Sequence, residues 1–142
     1  MSREDIVELQ DRLRAFARCR DWEQFHSPKN LSMALIAECA ELVEHFQWLT
    51  EQQSGALPAQ EWRAVRLELA DVFIYLLRLA DQLGVDLLAA AREKIDINEE
   101  RYPSERVRGD ARRAAQYALS HCATPAQAAA AAPTGGGREA DS

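Results

Sequence analysis

Seven large apolar side chains, Leu69, Val72, Phe73, Leu76, Leu77, Leu79 and Leu83, fall within fifteen residues. At 3.6 residues per turn they cover almost the whole circumference of a helix. A helix of this kind, from about Ala59 to Leu83 with Gly84 as its C-cap, is buried on several sides. In a chain of 142 residues that means a central place in a bundle or a place at a subunit interface.

The rest of the chain reads the same way. Ser2-x-x-Asp5 resembles a capping box, and Ile6, Leu9, Leu13 and Phe16 then recur on one helical face. Trp22-Glu-Gln-Phe-His-Ser-Pro28 reads as a loop, because Pro28 disfavours helical geometry at Ser27. A second helix is predicted from about Leu31 to Gln52, capped by Asn30 or Ser32, with Leu35, Cys39, Leu42, Phe46 and Leu49 as its apolar stripe. Ser54-Gly55 marks a turn, Asp86 caps a fourth helix from about Leu87 to Arg101, and a weakly patterned fifth follows from Ser104 to about Leu119. Ala, Leu, Glu, Gln and Arg dominate the composition, while Val, Ile and Thr are sparse, which favours helices. The expected fold is therefore all-α, of the four-helix-bundle type, with one domain over residues 1–120. The Ala-rich, Gly-rich segment 121–142 reads as a disordered tail.

The net charge is −6, from 17 basic and 23 acidic side chains, which argues against a general nucleic-acid binder. An acidic protein binds a polyphosphate only if metal ions bridge the like charges. Cys19, Cys39 and Cys122 are too scattered for a zinc knuckle or a disulfide framework. No apolar run marks a signal peptide or a membrane span, so a cytoplasmic location is expected.

Two acidic motifs carry the chemistry. Glu38 and Glu41 are three apart and share a helical face; Glu68 and Asp71 repeat the arrangement on the next long helix. Two antiparallel helices would set the four carboxylates opposite one another, a hard-oxygen ligand set suited to Mg²⁺ or Mn²⁺. Either motif alone is read most simply as a solvated helix face. Here, however, Glu38 lies in Leu-Ile-Ala-Glu-Cys-Ala and Asp71 in Leu-Ala-Asp-Val-Phe-Ile, so partial burial is expected. A carboxylate di-iron bundle needs two Glu-x-x-His motifs on helices, and the one present, Glu23 to His26, lies in the loop.

Glu38-x-x-Glu41, 26 intervening residues and Glu68-x-x-Asp71 resemble the signature of the MazG-like all-α nucleoside triphosphate pyrophosphohydrolases. Asp-Trp-Glu-Gln-Phe-His26, Phe-Gln-Trp48, Asp-Val-Phe-Ile-Tyr75 and Lys94-Ile-Asp-Ile-Asn98 before Arg-Tyr-Pro103 are similar to the dCTP pyrophosphatase branch. The resemblance spans about residues 5–103. It implies hydrolysis of a nucleoside triphosphate to the monophosphate and pyrophosphate. It carries over Glu38, Glu41, Glu68 and Asp71 as Mg²⁺ ligands, and Trp22, Glu23, Gln24, Phe25, His26, Trp48 and Tyr75 as substrate contacts. It also implies a homo-oligomer, dimer or tetramer, with sites at subunit contacts. One position departs from the branch: Leu13 stands where a substrate-contacting His is found, which leaves base and sugar preference open.

Elementary chemistry makes these assignments coherent. The α-phosphorus is screened by negative oxygens, so metal ions and a base are needed to activate water; Glu41 is the candidate base. Lys94 and Asn98, four apart on one face, are predicted to touch phosphate. Trp48, ten residues after Glu38, and Tyr75, four after Asp71, are predicted to flank the metal site at the base end, although ordinary core packing fits their spacing equally. Trp62 is assigned to packing. Arg106, Arg108, Arg112 and Arg113 form a basic cluster read as solvated or ion-paired. The expected activity is clearance of dCTP or a modified pyrimidine nucleotide. A related diphosphatase of dUTP or a histidine-pathway nucleotide is the nearest alternative, and a non-catalytic oligomerisation module the more distant one.

Overall fold

The computed structural model describes residues 3–109, and these are helical with short connections. In chain order they form α1 (Arg3–Arg18), a 3₁₀ turn (Glu23–Phe25), α2 (Pro28–Glu44), α3 (Glu51–Ser54), α4 (Ala59–Leu83), α5 (Leu87–Arg101) and α6 (Ser104–Val107). The chain divides into two compact units, Met1–Arg92 and Glu93–Ser142. The expected cap at Ser2, the fifth helix beyond Gly109, Arg112, Arg113, Cys122 and the tail from 121 lie outside the described residues.

Within the first unit, α4 packs on α2 and α1. Contacts fix the direction. His45, just past the end of α2, meets Glu61 near the start of α4, whereas His26, just before α2, meets Arg78 near the end of α4. The two helices are therefore antiparallel. Arg14 of α1 reaches Asp81 of α4.

The long helices α4 and α5 have the predicted bounds. Gly84 closes α4 at φ 66°, a conformation open to glycine, and its N–H donates to Ala80 and Asp81 carbonyls. Asp86 Oδ1 accepts the N–H groups of Leu88 and Ala89, each at 3.1 Å, and so opens α5.

The second helix differs from expectation at both ends. It begins at Pro28, not Leu31, because Ser27 is extended and its Oγ accepts the Asn30 N–H at 3.2 Å. Pro28 thus occupies the first helical position, where its missing N–H costs nothing. The helix stops at Glu44 rather than Gln52. Thr50 opens a separate short helix: its side chain accepts the Gln53 N–H, while Gln53 Oε1 accepts the Thr50 N–H at 2.9 Å. That reciprocal capping box gives the backbone an alternative to continuing α2.

The buried apolar residues among those described are Ile6, Ala17, Leu31, Val65, Leu77 and Ala80. Within one chain α4, expected to be buried on several sides in a bundle or at a subunit interface, is covered only in part. Leu67, Leu69, Leu76 and Leu83 are exposed, because α2 and α1 cover only part of its circumference. Trp62, assigned to packing, is also exposed. No described helix is long and apolar enough to cross a membrane.

Ser27→Ala should remove the cap of α2 and cost about 1 kcal/mol of stability in denaturant unfolding. An unchanged unfolding midpoint would show that Pro28 alone sets the helix start.

Candidate active site

The antiparallel pairing of α2 and α4 brings the acidic motifs together. Glu38, Glu41 and Glu68 each offer an oxygen within 4.8 Å of the others. Opposite oxygens across a bound Mg²⁺ lie about 4 Å apart, so the three fit one hard cation with small side-chain adjustments. Glu38 and Glu68 are half-buried and Glu41 is exposed. Burial first, then the charges of Glu41, Asp71 and Glu68, holds the Glu38 carboxyl above its ordinary pKa. A carboxyl crowded by three others is suited to a cation. Asp71 is half-buried and near enough to raise Glu38, but it lies outside the three-oxygen group.

Asp71 also lines a cavity of about 350 Å³ with Leu13, Phe16, Trp22, His26, Tyr75 and Arg78. A second cavity of about 320 Å³ shares Trp22, His26 and Tyr75 and adds Phe25, Asn30 and Leu31. Metal-type and aromatic residues are thus joined through Asp71. A larger space of about 620 Å³ lies at the α2–α4 connection, and none of the four carboxylates lines it.

Local chemistry fixes the aromatic loop. The chain leaves α1 through Asp21 at φ 55°, and Gln24 donates to the Asp21 carbonyl and carboxylate at 2.9 and 2.8 Å. Asn30 donates to the Phe25 carbonyl at 3.0 Å and ties the loop to α2. Trp22 packs edge-on against Phe16 at 5.8 Å between ring centres. Of the five loop residues expected at the site, Trp22, Phe25 and His26 line the cavities. Gln24 serves the loop itself, and Glu23 faces Arg18 at 3.9 Å.

The other expected contacts separate. Tyr75 lines both cavities. Trp48 does not follow the Glu38–Glu41 face, because α2 ends at Glu44; it stands in the turn with 87% of its surface exposed. Lys94 and Asn98 lie on α5 in the second unit, four apart as expected and exposed.

Sequence reasoning missed Arg78. It is 4% exposed, lines the cavity, donates through Nη1 to Asp81 at 2.9 Å and through Nη2 to His26 Nδ1 at 3.3 Å. Asp81 is in turn gripped by Arg14 through Nε, at 3.1 and 3.0 Å to its two oxygens, and through Nη2. The signal was available: one cation inside Leu-Leu-Arg-Leu-Ala, seven residues after Asp71 and three after Tyr75.

Partial burial first, then the Arg78 charge, holds His26 below its ordinary pKa, with Glu23 acting in opposition. The unfolded ring titrates near 6.5, so this group's contribution to stability is complete above that value. It is lost as pH falls from there through the folded value. An NMR titration of His26 should give a pKa below the ordinary value that rises toward it in Arg78→Met. A value unmoved by that substitution would show that the two side chains are not electrostatically linked.

The family model described as MazG-like matches residues 34–113, which span both acidic motifs. The chain is 49% identical over 98 residues to a Mus musculus protein named dCTP pyrophosphatase 1, covering 68% of this chain and 58% of that one. The Homo sapiens protein of the same name is 47% identical over 100 residues, covering 69% and 59%. This chain thus spans somewhat over half the length of those relatives. The crystal structure of a pyrophosphatase from Archaeoglobus fulgidus superposes with a TM-score of 0.68 at 36% identity, covering 72% of this chain and 96% of that one. With its acidic helix pair inside the matched segment, the chain belongs to the MazG-like family.

Proposed function

We propose that this protein is a Mg²⁺-dependent nucleoside triphosphate pyrophosphohydrolase. Its substrate is dCTP or a modified pyrimidine deoxynucleotide, and its role is to clear that nucleotide from the pool. The observation that carries the reading is the convergence of Glu38, Glu41 and Glu68 oxygens beside an aromatic cavity that Asp71 shares. The names of the mammalian relatives support dCTP, and the family match supports the reaction.

Glu38, Glu41 and Glu68, with Asp71 beside them, would hold the Mg²⁺ ion, with Mn²⁺ as a substitute. When bound there, the ion would neutralise phosphate charge and lower the pKa of a coordinated water. Glu41, the exposed member of the cluster, takes the proton of the attacking water. Water adds at the α-phosphorus as the bond to the bridging α–β oxygen breaks, giving the monophosphate and pyrophosphate. Trp22, Phe25 and Tyr75 enclose the base, where stacking typically contributes about 1–3 kcal/mol. Lys94 and Asn98 are assigned to phosphate oxygens.

The acting form is a cytoplasmic homo-oligomer with no nucleic-acid or membrane partner. Exposed Leu67, Leu69, Leu76 and Leu83 on α4, with Trp48 beyond α2, supply apolar surface for subunit contacts.

The full chain with Mg²⁺ should convert dCTP to dCMP and pyrophosphate. Glu38→Gln should keep its helical circular dichroism while losing roughly 100-fold or more in kcat. Release of single phosphates, or full turnover by the folded Glu38→Gln variant, would reject the reaction. Chelation should abolish turnover, and Mn²⁺ should restore part of it.

A further inference from the structure

The loop between α1 and α2 faces helix α4 across the two aromatic cavities. Trp22 and His26 come from the loop and Tyr75 from α4, and all three line both spaces. The separation of loop and helix therefore sets the width of the gap between these rings. At its own ends the loop is tied: the Trp22 N–H donates to the Ala17 carbonyl at 3.0 Å, and Asn30 donates to the Phe25 carbonyl at 3.0 Å. Those ties reach α1 and α2 but not α4. The polar contact that crosses to α4 is the one between His26 and Arg78.

Arg78 is placed to make that contact rather than to meet a ligand. It stands three residues, almost one turn, after Tyr75 and is 4% exposed. Its Nη1 donates to Asp81 at 2.9 Å and its Nη2 meets His26 Nδ1 at 3.3 Å, while Nε is buried with no hydrogen-bond partner among the described residues. A guanidinium only donates, so His26 Nδ1 accepts. Asp81, gripped by Arg14 through Nε and Nη2, anchors the guanidinium on its other side. With so little of its surface open, Arg78 acts on a bound molecule through His26.

Resting on the pyrophosphohydrolase reading above, we infer that Arg78 is a positioning residue: through His26 it holds the aromatic loop at the spacing from Tyr75 that a nucleobase needs. Trp22, Phe25 and Tyr75 then meet the base as a preformed slot, and binding does not have to order the loop. Glu38, Glu41 and Glu68 stand on α2 and α4, which pack directly on each other, so the acidic group does not depend on this contact. Loss of the clamp therefore falls on affinity for the nucleotide, in the ground state and the transition state alike.

Steady-state kinetics of the full chain on dCTP with Mg²⁺ test this. His26→Leu should raise KM about 10-fold and lower kcat by less than about three-fold. His26→Asn, whose side-chain oxygen stands near the place of Nδ1 and still accepts, should stay within about three-fold of wild type in KM. Arg78→Met should match His26→Leu, and the double variant should be no worse than either single one, because both remove the same contact. Arg78→Lys, which keeps a donor but not the fork, should fall between Arg78→Met and wild type. A folded His26→Asn variant as poor as His26→Leu would overturn the inference, since the effect would then lie in the other ring nitrogen or in the ring itself. Losses that multiply in the double variant, or a fall in kcat at constant KM, would overturn it too. In each of those cases the wild type still releases pyrophosphate, so the pyrophosphohydrolase reading stands; a wild type with no turnover would overturn both. Should Arg78→Met fail to fold, the two His26 variants decide by themselves.

Discussion

The candidate site depends on a repulsion. Glu38, Glu41 and Glu68 converge where α2 crosses α4, with oxygens no more than 4.8 Å apart. Two unit charges at that separation repel by about 1 kcal/mol in water and a few times more at a half-buried surface. Packing between the helices has to overcome this, and a polar contact joins the pair at each end. His45 meets Glu61 at one end, and His26 meets Arg78 at the other. Leu31 and Leu77, both almost wholly buried, sit toward the second end. The acidic crossing is held by its neighbours against its own repulsion, so local stability is given up at the candidate site.

The same end that anchors the helices also forms the aromatic cavity. Arg14, Asp81, Arg78 and His26 make a chain of contacts from α1 through α4 to the loop before α2. Two guanidinium groups share the Asp81 carboxylate, and Arg14 also meets Asp11 Oδ1 at 2.6 Å, so two cations face two carboxylates in this network. Asp71, one turn from Tyr75 and two from Arg78, lines this cavity and also acts on Glu38 of the acidic crossing. A nucleotide has a matching division: a phosphate end that needs cations, and a flat base that suits aromatic walls.

Much of this was legible in the sequence, for identifiable reasons. The bounds of α4 and α5 follow from strong local signals, Gly84 at one end and Asp86 at the next start. The acidic cluster follows from the three-residue spacing on two long helices. The bounds of α2 were misread because two short-range devices outweigh apolar periodicity: the Ser27 cap before Pro28, and the Thr50–Gln53 capping box. The second error displaced Trp48, since a register argument holds only while the helix continues. Glu23 and Gln24 share a motif with Trp22, Phe25 and His26, but a 3₁₀ turn points neighbouring residues in different directions. Arg78 went unnoticed because its partner other than Asp81, His26, lies 52 residues away in the chain.

The apolar surface left by α4 bears on how this unit is completed. Leu69, Leu76 and Leu83, seven apart and so on one side, lie on the helix that carries Glu68, Asp71, Tyr75 and Arg78. A partner covering those leucines would also remove water from the neighbourhood of the carboxylates and the cavity. Lower local dielectric strengthens each charge interaction there: the repulsion within the acidic cluster, its attraction for a cation, and the grip of Asp81 on its two arginines. Association and metal affinity would then be coupled through one helix, because whatever shields its apolar side also sharpens the electrostatics of its polar side.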